Sequence, residues 1–136
     1  MSATPAKLIM PRDIGNAEKV RIAQSEVAAV LGSLPAPLRE RAEAVPVTYQ
    51  PCPTPGLVQD GIEADTLGLF VGPEFASELV NVAPFAAQVF LFINNLWEQA
   101  ERDTESFKEE VRTTLLHELG HYLGLDEDEL DERGLL

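Results

Sequence analysis

Apolar residues recur along the chain with two periods, and the change from one to the other outlines the fold. Val20, Ala23, Val27, Val30, Leu31 and Leu34 follow helical spacing behind Asn16, a ready N-cap. They predict a helix over 17–33, ended in the Gly32 to Pro37 region, with a short helical turn over 38–44. Val45 to Gln50, Thr66 to Val71 and Gln88 to Ile93 are β-branched, aromatic or continuously apolar and predict three strands. The third is apolar enough for burial on both faces. PCPTPG at 51–56 reads as a breaker, and Gly72-Pro73 closes the second strand. Val80 to Ala87 fits either period. Asn94 or Asn95 is positioned to cap a short helix through Leu96, Trp97 and Ala100, with Trp97 in the core. A long helix follows, starting near 103–106 with Ser106 and Glu109 in capping-box spacing and stopping at Gly124. Its packing face is Phe107, Val111, Leu115, Leu119 and Tyr122, flanked by Leu116 and Leu123. A last acidic helix is expected over 126–133, before Gly134. The first fifteen residues carry Pro5, Pro11 and Gly15 without periodicity. They predict a flexible lead-in over 1–15 and a single domain over 16–136. Strands and helices segregated in this order predict an α+β domain.

Composition narrows the setting. Apolar residues make up 45% and charged residues 24%, ordinary globular usage that excludes wholesale disorder. The one cysteine, Cys52, allows no intrachain disulfide, so a reducing, cytoplasmic location is expected, and a lone cysteine is most simply a small apolar filler. Ten basic residues stand against 23 acids, a formal charge of −13. Such a chain repels phosphate backbones and anionic lipid, so neither nucleic acid nor a membrane is an expected partner. The start has only three consecutive apolar residues before Pro11, and the longest apolar stretch, 82–93, is interrupted by Pro84 and Gln88. Neither a secretory signal nor a membrane span is expected.

The chemistry concentrates in HELGH, residues 117–121, which contains both histidines of the chain. The preceding FKEEVRTTLL is strongly helical. On a helix, four residues make about one turn, so both imidazoles emerge on one side, roughly 40° apart. That spacing lets two ring nitrogens reach one zinc ion at ~2.0–2.1 Å. Glu118 lies about 100° round, placed to take the proton of a water that the metal makes acidic. The histidines fall outside the packing arc, beside Glu110, Thr113 and Thr114. This suits a cleft, and it equally suits plain solvent exposure. Glu110 is positioned as an outer partner or a solvated acid.

Catalytic zinc usually takes three protein ligands. No further histidine exists and fifteen residues follow His121, so the third ligand is expected to be a carboxylate from that short tail or from upstream, and the tail offers GLDEDELDE. Gly124 permits the sharp turn that redirects the chain. Glu127, six residues after His121, is favoured, with Asp128 and Asp126 behind it. Asp126 and Glu129 have capping-box spacing, which gives Asp126 a competing structural role.

HELGHYLGLDEDELDERG resembles the signature of a family of small bacterial zincin-like metallopeptidases, the minimal zincins, and more widely the metzincin pattern HExxHxxGxxH/D. LPAPLRERAEAVPV, TLGLFVG and QVFLFINNL look like the same layout upstream, so the resemblance covers most of the chain after residue 17. It implies a small three-stranded mixed sheet packed on helices, with HExxH on the long C-terminal helix. It implies zinc held by His117, His121 and Glu127, Glu118 as general base, and a peptide or protein substrate lying along an edge strand, here Thr66 to Val71. The sequence departs from metzincins in its glutamate at the third position and in having no methionine after the motif. Those departures motivate an alternative, a non-catalytic metal-binding or protein-interaction module that retains the scaffold. A metal-dependent nuclease, the other class considered, is disfavoured by the charge. No lysine or arginine occurs between Arg41 and Arg102, a span with eight acids, which favours cationic or neutral peptides if it lines the cleft.

Overall fold

The computed structural model describes residues 14–72 and 87–132, the Glu127 side chain excepted. Most of the expected lead-in, the ambiguous stretch at 80–87 except Ala87, and the Arg133 and Gly134 end of the last helix lie outside these residues. Helix α1 spans Asn16–Ser33 and α2 Ala36–Glu43, followed by strand β1 at Val47–Gln50. A short helix α3, Pro55–Gln59, precedes strands β2, Gly68–Val71, and β3, Gln88–Phe92. Helices α4 (Ile93–Gln99), α5 (Thr104–Leu123) and α6 (Glu127–Glu132) complete the described order. No helix of the described residues is long and apolar enough to cross a membrane.

The sheet has the order β1-β3-β2. β1 runs parallel to β3, with Val47 opposite Val89. β2 runs antiparallel to β3, with Gly68 opposite Leu91. The sheet is therefore mixed, and among the described residues β2 lies at one edge. Side chains alternate across a strand, so Val89 and Leu91 share the face packed by helices, and both are completely buried. On the other face Phe92 is buried, whereas Gln88 and Phe90 are only half-buried. The expectation of burial on both faces holds for the end of β3 and not for its start.

The predicted face of α5 is the one that packs: Phe107, Val111, Leu115, Leu119 and Tyr122 are all buried. Trp97 joins them in the core, edge-to-face on Phe107 with ring centroids 5.4 Å apart. The aromatic pair Phe70–Tyr122, centroids 5.9 Å apart, ties β2 to the C-terminal half of α5.

Several local expectations change. Gly15, not Asn16, is the N-cap of α1, and no side chain caps it. The PCPTPG breaker contains the start of α3: Thr54 accepts a hydrogen bond from the Leu57 N–H and Pro55 takes the first helical position. α4 begins directly after β3, with no side chain on its N-cap. Asn95 instead donates to the Ala64 and Thr66 carbonyl oxygens, 2.8 Å each, and so fixes the approach to β2. α5 starts within the expected 103–106 region, but Asp103 and not Ser106 is its N-cap, because the Asp103 carboxylate accepts the Ser106 N–H at 2.9 Å. That bond, and a second from the Ser106 side chain, lowers the Asp103 pKa. Cys52 is exposed, so it is no core filler.

Candidate metal centre

The site is built where α5 ends and turns into α6. Gly124 adopts φ 75°, ψ 24°, the left-handed conformation that ends many helices. The Gly124 N–H reaches back to the His121 carbonyl at 3.3 Å and the Leu125 N–H to the Gly120 carbonyl at 2.8 Å. These are the paired bonds of a Schellman motif. The chain then re-enters helix through a reciprocal capping box. The Asp126 carboxylate accepts the Glu129 N–H at 2.8 Å, and the Glu129 carboxylate accepts the Asp126 N–H at 3.2 Å. Two devices readable from the sequence, the turn glycine and the capping-box spacing, therefore operate together.

His117 and His121 project from the last two turns of α5 on one side. Their ring centroids are 6.1 Å apart and the ring planes nearly perpendicular. A tetrahedral zinc bound by one nitrogen of each ring would set the centroids about 5 Å apart. The observed separation is thus about 1 Å wider, and the donor chemistry, two imidazoles one turn apart, suits zinc. His121 is 56% exposed and Glu118 only 14% exposed, with Glu118 Oε1 3.5 Å from His121 Nδ1. A carboxylate at the Nδ1 edge leaves the opposite nitrogen, Nε2, for a metal.

A cavity of about 590 Å³ opens here, lined by both histidines, Gly120, Gly124, Leu125 and the α6 residues Asp128, Glu129 and Leu130, together with Asp126. A second, of about 270 Å³, lies on the other side of His117, lined by Leu67, Gly68, Glu110, Thr113, Thr114 and Glu118. His117 lines both. Glu110 thus belongs to the cleft wall beside β2. Further along, Asp65 and Glu98 line a third cavity that also touches Leu67, so part of the acid-rich span does flank the cleft. Among the described residues no group of three His, Cys, Asp or Glu side chains is close enough to hold a metal ion. Of the tail acids, Asp126 and Glu129 spend carboxylate oxygens on the capping box, while Asp128 is exposed.

Two glycines that the sequence reading passed over shape this cleft. A methyl group at Gly68 would stand 2.5 Å from Thr114 Cγ2 and 3.4 Å from Glu118 Cγ. Only a residue without Cβ lets the edge strand come this close to the helix that carries HELGH. A methyl at Gly120 would stand 2.9 Å from the Leu125 carbonyl oxygen. The signal was available in both cases, as a glycine inside the apolar strand TLGLFV and one inside the histidine motif.

A family model described as zincin-like metallopeptidase matches residues 42–135, well over half of the chain. The matched region contains the three strands, the histidine helix and the acidic tail. No curated protein matches the sequence.

Proposed function

The chain belongs to the zincin-like metallopeptidase family, and from that premise we propose that it hydrolyses peptide bonds as a zinc-dependent peptidase, through one domain over 16–136. Members of this family bind zinc. In this reading His117 and His121 hold the ion through ring nitrogens and Glu127 supplies the third ligand. Support for Glu127 comes from its place in the motif and from the capping box, which occupies Asp126 and Glu129. When bound, zinc supplies Lewis acidity that makes water acidic near neutral pH and polarises a carbonyl.

The remaining work falls to side chains and backbone of the chain itself. Glu118 takes a proton from the attacking water on its carboxylate and passes it to the amine that leaves. Its partial burial limits competing solvent, and its contact with His121 holds it at the mouth of the cleft. The outer edge of β2 orients an extended peptide or protein substrate by backbone pairing. Gly68 brings that edge against Glu118, so a paired peptide lies beside the base. The carboxylates of Asp65, Glu98 and Glu110 along the same wall favour cationic or neutral substrates over acidic ones.

The observation that carries this reading is the convergence, at one helix end beside an edge strand, of two imidazoles a turn apart and one half-enclosed carboxylate. The test combines metal content with turnover. Protein purified without chelators is expected to hold close to one equivalent of zinc, lost in His121→Ala. Glu118→Gln is expected to keep the metal and the fold while losing cleavage of a responsive peptide by about 100-fold or more. Undiminished turnover in Glu118→Gln defeats the assignment of the base. Stoichiometric zinc with no cleavage across a peptide library favours the non-catalytic alternative.

A further inference from the structure

Helix α6 reads Glu-Asp-Glu-Leu-Asp-Glu, so Leu130 is its one apolar side chain. A six-residue helix does not persist on its own, and five adjacent carboxylates repel one another. Leu130 is nevertheless only 2% exposed. It stands apart from the main core cluster, which gathers on the helix-facing side of the sheet. It packs closely on Gly120: a methyl there would stand 3.1 Å from Leu130 Cδ1, and 2.9 Å from the Leu125 carbonyl oxygen. Gly120 lies between His117 and His121 on α5, and Leu130 lines the same cavity as both rings. The Schellman motif directs the chain and the capping box starts the helix. Both bond sets act on the backbone of the turn; the seat of Leu130 on Gly120 is a side-chain contact between α6 and the helix that carries the two imidazoles.

We infer that Leu130 is a positioning residue of the metal centre: seated on Gly120, it holds the acidic helix at the histidines and so sets zinc affinity rather than fold stability. The inference rests on the reading of Glu127, or another α6 acid, as third ligand. It goes beyond that reading by naming an apolar residue as the determinant of how well the acid reaches the ion.

The test measures zinc dissociation constants for the full chain by competition with a chromogenic chelator, alongside thermal unfolding of the chelator-treated protein. Leu130→Ala is expected to raise Kd by about 10-fold to 100-fold, the range seen when the supports of metal ligands are removed. Unfolding of the metal-free protein should move far less than in Leu115→Ala, because Leu130 lies outside the main core cluster. Leu130→Met, which refills the seat, should return Kd to near the wild-type value. Gly120→Ala approaches from the other side: it favours the helix but blocks the seat, and should weaken zinc binding in the same direction. Unchanged Kd in both Leu130→Ala and Gly120→Ala overturns the inference. So does collapse of the metal-free fold in Leu130→Ala, which would make Leu130 an ordinary core residue. Zinc binding that survives His121→Ala overturns the underlying metal assignment instead, and so separates the two failures.

Discussion

The two ends of α5 are held by different physics. From Phe107 to Leu119 the helix is fixed by burial, its apolar face pressed against β3, α1 and α4. Beyond the buried Tyr122 the chain is held mainly by local geometry: a left-handed glycine, two pairs of short-range hydrogen bonds and one leucine on a glycine. The histidines stand where one regime gives way to the other. Their spacing is inherited from a helix that the whole core defends, whereas the approach of the acidic tail depends on a handful of local contacts. If a tail acid is the third ligand, as proposed, a site divided in this way would lose that ligand without losing its fold.

The largest expected effect lies on the core side. Leu115→Ala removes a completely buried side chain and should cost about 2–5 kcal/mol of unfolding free energy in urea titrations. The fraction that remains folded should bind zinc with unchanged affinity. A matching loss of affinity would erase the distinction between the two ends. An intermediate effect is expected at the corner. Gly124→Ala places a Cβ at φ 75° and should cost about 1–2 kcal/mol. Here zinc affinity should fall as well, because the redirected chain carries the tail acids. Calorimetric titration of the variant with zinc checks the second half of that statement.

The smallest effect belongs to the cap at the far end of the same helix. The Asp103 pKa is lowered in the folded chain by hydrogen bonds from Ser106. A depressed carboxylate stabilises the fold above its unfolded pKa, about 3.9, and that contribution fades as pH falls through the folded value. Wild-type and Asp103→Asn melting temperatures should therefore differ at neutral pH and converge on acidification below about pH 4. Zinc affinity at neutral pH should be the same in both. A difference that persists unchanged into acid would show that the cap does not act through its charge.

Patterns that repeat were readable before any coordinates. The α5 face declared itself through five apolar positions at helical spacing, and HELGH through the rarity of its residues in a chain with two histidines. Gly124 and the Asp126–Glu129 pair were also readable, because caps are local chemistry. What escaped was settled by competition or by distant contacts. Ser106 had good capping-box spacing, but Asp103 lay three residues upstream and took the role. Asn95 looked like a cap and instead serves carbonyls about thirty residues away. Thr54-Pro55 hid a helix start inside a proline-rich stretch. Gly68, Gly120 and Leu130 matter through what approaches them, and no periodicity reports that.

β2 is four residues long, so its outer margin extends roughly 14 Å at strand spacing. A margin so brief can register only a few links of any extended chain laid beside it. In the peptidase reading, main-chain pairing at this margin would say little about which polypeptide is present. Selectivity would then come from individual side chains reaching the flanking hollows, as a short ruler still tells apart objects by the notches cut into it.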